Sequence, residues 1–145
     1  MNIKTAYMGE VEILEDEVLT FEHGLPGFED EKKFVILEIG GNKNFKVLQS
    51  IMTEKLAFIV TNPYNLLDNY SFDLEESIVY SLQITDEQEV AVLAIVSLKE
   101  SLASSTVNLK APIIININKN IAKQVILNNE DYPIRYVISH GSKEV

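Results

Sequence analysis

Cysteine is absent from the 145 residues, which excludes disulfides, thiolate nucleophiles and zinc–sulfur sites. The same absence is compatible with a reducing compartment. Histidine is nearly absent: His23 falls in an early loop and His140 in a polar tail. A catalytic dyad would therefore need a serine beside one of these two, or a pair of carboxylates. There is no GxSxG elbow, HExxH helix, GxGxxG turn or Walker loop. Long apolar runs are also missing. The longest, VAVLAIV (90–96), falls far short of the ~20 residues needed to cross a bilayer. The opening MNIKTAYMGEVEI lacks the basic start and apolar stretch of a signal peptide. The expectation is a soluble, cytoplasmic protein with no membrane partner.

Basic residues are scarce, 12 against 22 acids, for a formal net charge of −10. Such a field repels nucleic-acid phosphates and favours basic partners, although solubility alone also accounts for an acidic surface. The densest basic spots, EKK and NKNIAK, lie among acids or asparagines, and no strand interleaves aromatic and basic residues as an RNA-recognition motif does. No nucleic-acid partner is expected. The acids gather at 15–17, 29–31, 73–76, 86–89 and 130–131. None of these clusters has the spaced ligand loop of a calcium-binding EF-hand. They read as solvated turn acids and helix starts, so no metal or cofactor is expected.

What the sequence does have is a series of short strand patterns. VEILE (11–15) alternates with the period of a half-buried strand, as does FKVLQS (45–50). KFVILEI (33–39) is a β-branched and aromatic block closed by the turn residues GGNKN. LAFIVT (56–61) and EVAVLAIVSL (89–98) are almost wholly apolar, as strands covered on both faces are. VLTF, TVNLK, IIINI, AKQVIL and IRYVIS complete the set, with the hairpin signal NKN (118–120) between two of them. Only two segments suggest helix. DLEESIVYSL has Asp73 as N-cap, Glu76 as its capping-box partner and Leu74, Ile78 and Leu82 on one face. TDEQE (85–89) suggests a short capped turn. The pattern predicts one all-β domain over 1–145, a small antiparallel barrel or sandwich with one or two short helices and a flexible tail at about 139–145.

FEHGLPGFED (21–30) is the most distinctive loop. Pro26 fixes the second position and Gly27 supplies the positive φ of the third, which is the signature of a type II turn, with Leu25 and Phe28 as apolar flanks. Proline removes an N–H and acids follow it, so the loop does not suit an anion. It is either a structural knuckle with its flanks packed inward or a stiff ledge for a partner. Two other stretches qualify as binding candidates. In VTNPYNLLDNY (60–70), Asn62, Pro63 and Tyr64 open an aromatic-bearing loop. In EDYPIRY, Arg135 is an isolated cation, either an internal ion-pair partner or an interface contact.

F-x-x-GLPGFED, VLQS, AFIVTNP, DNYSFDL, NLKAPIIIN and KQVIL…DYPIR occur in this order between about Tyr7 and Arg135. Together they resemble the FliW family of flagellar assembly factors. One departure is Tyr64, where phenylalanine is more usual, followed by a more polar NLLDNY. The resemblance implies a non-enzymatic protein with a small barrel-like fold that binds newly made flagellin. In that family the alternative partner is the carbon storage regulator CsrA, an RNA-binding translational repressor, so flagellin and the regulator compete for the factor and repression lifts when flagellin leaves. The candidate contacts under this reading are Leu25, Pro26, Phe28, Asn62, Pro63, Tyr64 and Arg135, on a chain that is a monomer by itself. The alternative is a small-ligand or enzymatic barrel with a pocket near His23.

Overall fold

A computed structural model describes residues 1–128 and 131–141. Eleven strands and two short helices follow in order: β1 (Asn2–Lys4), β2 (Glu10–Glu12), β3 (Leu19–Phe21), β4 (Lys33–Ile39), β5 (Asn42–Ser50), β6 (Ala57–Thr61), α1 (Glu76–Ser81), β7 (Val90–Ser97), β8 (Thr106–Val107), β9 (Ile113–Asn116), β10 (Ile121–Gln124), β11 (Tyr136–Val137) and α2 (Ile138–Gly141). Strands β7-β6-β5-β4-β3-β10-β9 are neighbours in that order, and β9 pairs back onto β7, closing a seven-stranded barrel. Strands β8 and β11 extend the sheet beyond β7, and β1–β2 form a separate hairpin. The expected all-β barrel is the observed fold. Within the barrel one pairing departs from the antiparallel expectation: β3 and β10 run parallel, with Thr20 opposite Ile121 and Phe21 opposite Ala122.

The strand period of two sorts the side chains into layers. Phe21, Phe34, Leu48, Val60, Ile113 and Ile115 fill the barrel interior, where the Phe21 and Phe34 rings meet edge to face at 5.3 Å. Outside the barrel, Ala94, Val96, Val107 and Leu109 pack with Tyr70, Leu127 and Tyr132. A third cluster seats Ile3 and Ile13 of the N-terminal segment on Val35 of β4. This layering explains the two apolar runs. In β6, Val60 faces the interior and Ile59 the outer cluster; in β7, Leu93 faces in while Ala94 and Val96 face out.

Several local expectations shift. The GG turn is tighter than the sequence suggests: only Gly40 and Gly41 lie between the paired Ile39 and Asn42, and the residues after them already belong to β5. Helix α1 starts later than Asp73. Its N-cap is Glu75, and no side chain caps it. The Tyr132 hydroxyl is the reason: it accepts from Ser71 N (2.8 Å) and donates to Ser71 O (3.0 Å), holding this stretch against the outer cluster. The turn at 85–89 forms as expected, with Asp86 as N-cap and Glu89 closing a capping box. IRYVIS yields only the two residues of β11 before α2, so the backbone of residues 138–141 is a helical turn. Residues 142–145 of the expected flexible tail lie outside the described residues.

Candidate functional site

The 25–28 loop is the turn its sequence predicts. Phe28 N donates to Leu25 O at 2.7 Å and Gly27 has φ +86°. Gly27 N also donates to the Glu29 carboxylate at 2.9 Å. At Gly24 (φ +66°) a Cβ would lie 2.5 Å from Phe28 O and 2.6 Å from Glu29 O, so no side chain fits. The two apolar flanks split. Leu25 is 2% exposed and belongs to the barrel core, whereas Phe28 is 41% exposed and lays its ring edge to face on Phe58 at 5.7 Å. Leu25 thus packs inward as the knuckle reading has it, while Phe28 stays accessible at the surface. Pro26 is exposed.

Glu31 fastens this knuckle to the β5–β6 connection. Its carboxylate accepts from Ser50 Oγ and Thr53 Oγ1, both at 2.5 Å. These two bonds, that of Ser50 first, hold its pKa below the usual carboxylate range. Sequence reasoning grouped Glu31 with solvated turn acids. Nothing local marks it, because its partners lie 19 and 22 residues away.

The second candidate stands at the other end of β6. Asn62 caps a one-turn 3-10 helix, Pro63–Asn65, by accepting from Tyr64 N at 2.9 Å, and Pro63 is buried. Leu66, Leu67 and Tyr70 turn onto the outer cluster, as aromatic and leucine side chains in polar loops commonly do. Tyr64 stays 39% exposed with its ring 5.5 Å from that of Tyr70. Tyr70 in turn meets Phe72 edge to face and Tyr132 at a tilt, and donates its hydroxyl to Leu109 O at 2.7 Å. Burial, with Tyr64 and Tyr132 adding to it, pushes the Tyr70 pKa far above the ordinary phenol value. Despite the polar NLLDNY, this loop thus carries an aromatic cluster.

The two loops do not meet. Phe58 and Asn62 are four strand residues apart, roughly 13 Å along β6. Arg135 is exposed and takes part in no ion pair among the described residues; the one such pair is Lys46–Glu38 at 4.0 Å.

Two grooves accompany these loops. One, of about 890 Å³, runs between Thr61, Asn62, Tyr64 and Tyr70 on one side and residues 90–93 of β7 on the other. Lys43 and Lys46 stand on its rim, as do Asp73 and Glu87. Beside it Glu89 accepts from Thr85 Oγ1 and N and from Asn118 Nδ2, and its pKa falls to about 2, with the Thr85 hydroxyl the largest cause. The other groove, of about 620 Å³, is lined by His23, Glu22, Gly24, Pro26 and Glu29 with Gln83 and Lys123. Among the described residues, no group of three or more acid, histidine or cysteine side chains is placed to hold a metal ion, and no helix is long and apolar enough to cross a membrane.

Fold and surface define a class: a closed seven-stranded barrel carrying a stiff turn at one end of β6 and an aromatic-lined groove at the other. The family model described as FliW protein matches residues 2–138. A flagellar assembly factor FliW from Oceanobacillus iheyensis is 49% identical over 132 residues, covering 91% of this chain and 90% of that protein. The Bacillus subtilis flagellar assembly factor FliW is 44% identical over 142 residues, 98% and 99% of the two chains. A crystal structure of the flagellar assembly factor FliW superposes with a TM-score of 0.90 at 39% identity, covering 95% of this chain and 96% of that one. The chain belongs to the FliW family.

Proposed function

We propose that this protein acts in flagellar assembly as a cytoplasmic, non-enzymatic binding protein. It holds newly made flagellin and, alternatively, the translational repressor CsrA, so that flagellin export releases the factor to relieve repression. The observation that carries the reading is the match of the whole domain to a family whose members are named flagellar assembly factors. The net charge of −10 supports it, since an RNA-binding repressor must present a basic surface and an acidic partner is steered toward one. Phe28 and Tyr64 are the exposed aromatic contacts, on a turn and a capped loop that lose little entropy on binding. Pull-down of flagellin and of CsrA with Phe28→Ala and Tyr64→Ala tests the contacts. Each variant should weaken capture of at least one partner by about tenfold while melting near the wild-type temperature. Undiminished capture by folded variants removes both residues from the site.

A second reading has one observation behind it. His23, Glu22 and Glu29 line a single groove, the arrangement a small-ligand or enzymatic pocket requires. Glu29 is already engaged with Gly27 N, a turn-locking role. His23→Gln separates the two readings: the binding-protein account expects flagellin and CsrA capture to be unchanged.

A further inference from the structure

Strand β7 is longer than the strand that covers it. Against β6 it pairs only through Ala94, Ile95 and Val96, because β6 ends at Thr61 and the chain turns at Asn62 into the one-turn helix Pro63–Asn65, which stays beside β7. Residues 90–93 pair with β9 on one side and, among the described residues, have no strand on the other. The ladder fixes which groups this leaves open. Ile117 N donates to Glu89 O, so residues 89, 91 and 93 address β9, while Val90 and Val92 address the 890 Å³ groove. Val90 N is taken by Glu87 O. The N–H and C=O of Val92 and the C=O of Val90 remain directed into the groove.

The walls suit a strand. Leu93 packs on the barrel's interior cluster and Phe72 on the outer one, both only half-buried, so apolar surface borders the gap on both sides. The rim is signed. Asn44 O accepts from Thr61 Oγ1, which places Lys43 at the Ala94 end; Glu87 stands at the Val90 end.

We propose that this groove receives an extended peptide segment, added as a strand antiparallel to β7 along residues 90–93, with an acidic residue leading, alternating apolar residues between and a basic residue trailing. Main-chain bonds to Val90 and Val92 supply the docking, and the pockets for alternate side chains supply selectivity. The charge order follows from the rim: a segment running on in the direction of β6 passes Lys43 first and Glu87 last. The inference does not rest on flagellin or CsrA being the partner.

The test uses the full chain and a labelled, capped peptide, Glu-Val-Thr-Val-Thr-Lys. Anisotropy should show saturable binding, and the Val92 amide should exchange about tenfold or more slowly with peptide bound. Of two peptides N-methylated on alternate amides, one should bind and the other should not, because only one set faces β7. The exposed pair Lys43→Glu and Glu87→Lys should weaken binding about two- to fivefold per charge, and the charge-reversed peptide should restore it. No binding to the wild-type chain, an unchanged Val92 amide, equal binding of both N-methylated forms or equal binding of a helical peptide of the same composition would overturn the proposal. So would self-association of the chain that the peptide does not compete away.

Discussion

The two ends of strand β6 are built in opposite ways. At the Ala57 end the 25–28 turn closes on the barrel: Leu25 plugs the core, Phe28 lies on Phe58, Gly24 has backbone oxygens where a side chain would go, and Glu31 ties the loop to Ser50 and Thr53. At the Thr61 end the wall opens, because β6 stops before Pro63 while residues 90–93 of β7 keep β9 on one edge and, among the described residues, have no strand on the other. A barrel strand with both faces covered has little left to offer a partner except its edge and its ends. The closed end offers shape; the open end offers hydrogen-bonding groups and room.

The sharpest break of this contrast is at Gly24. Gly24→Ala should destabilise the fold by about 2–4 kcal/mol in chemical denaturation, from backbone collision plus positive φ. Gly27→Ala, with nothing within 4 Å of its Cβ position, should lose only about 1 kcal/mol. Equal losses would mean that the turn's φ, not its seat on the barrel, holds the closed end. At the open end Tyr70→Phe leaves Leu109 O without its buried donor and should cost about 1–3 kcal/mol, read from the same denaturation curves. A loss near zero would show the aromatic cluster holding the groove by packing alone.

The smallest effects are in acid. Both Glu31 and Glu89 have folded-state pKa values below the unfolded carboxylate value. A depressed pKa contributes stability that is complete above the unfolded value and is lost as pH falls through the folded one. For Glu89 that window runs from about 4.5 down to about 2. Glu89→Gln should therefore flatten the decline of stability across this range, and Glu31→Gln should do the same at the closed end. A decline identical to wild type in both variants would assign acid sensitivity to other carboxylates.

Much of this was legible in sequence. The two all-apolar runs announced strands buried on both faces, and Pro26-Gly27 announced the turn to the residue. Legibility failed where distant contacts decide. The Asp73 cap yields to Tyr132 gripping Ser71, 61 residues away, and Glu31 gains its role only when β5 arrives beside it. Strand β1 is three residues long with one apolar residue between two polar ones, too brief for a period to show. The open edge of β7 did leave a trace: a six-residue block ending at Asn-Pro against a ten-residue block cannot pair throughout. That mismatch becomes a groove only once β6 and β7 are known to be neighbours.

Exchange of protein partners is the function proposed for this chain. Titration calorimetry tests it most directly, with the purified chain titrated with flagellin, with CsrA, and with CsrA after saturation by flagellin. Partner exchange requires binding in the first two titrations and loss of the CsrA heat in the third. A CsrA signal undiminished by bound flagellin, or no heat with either protein at low salt, would contradict it.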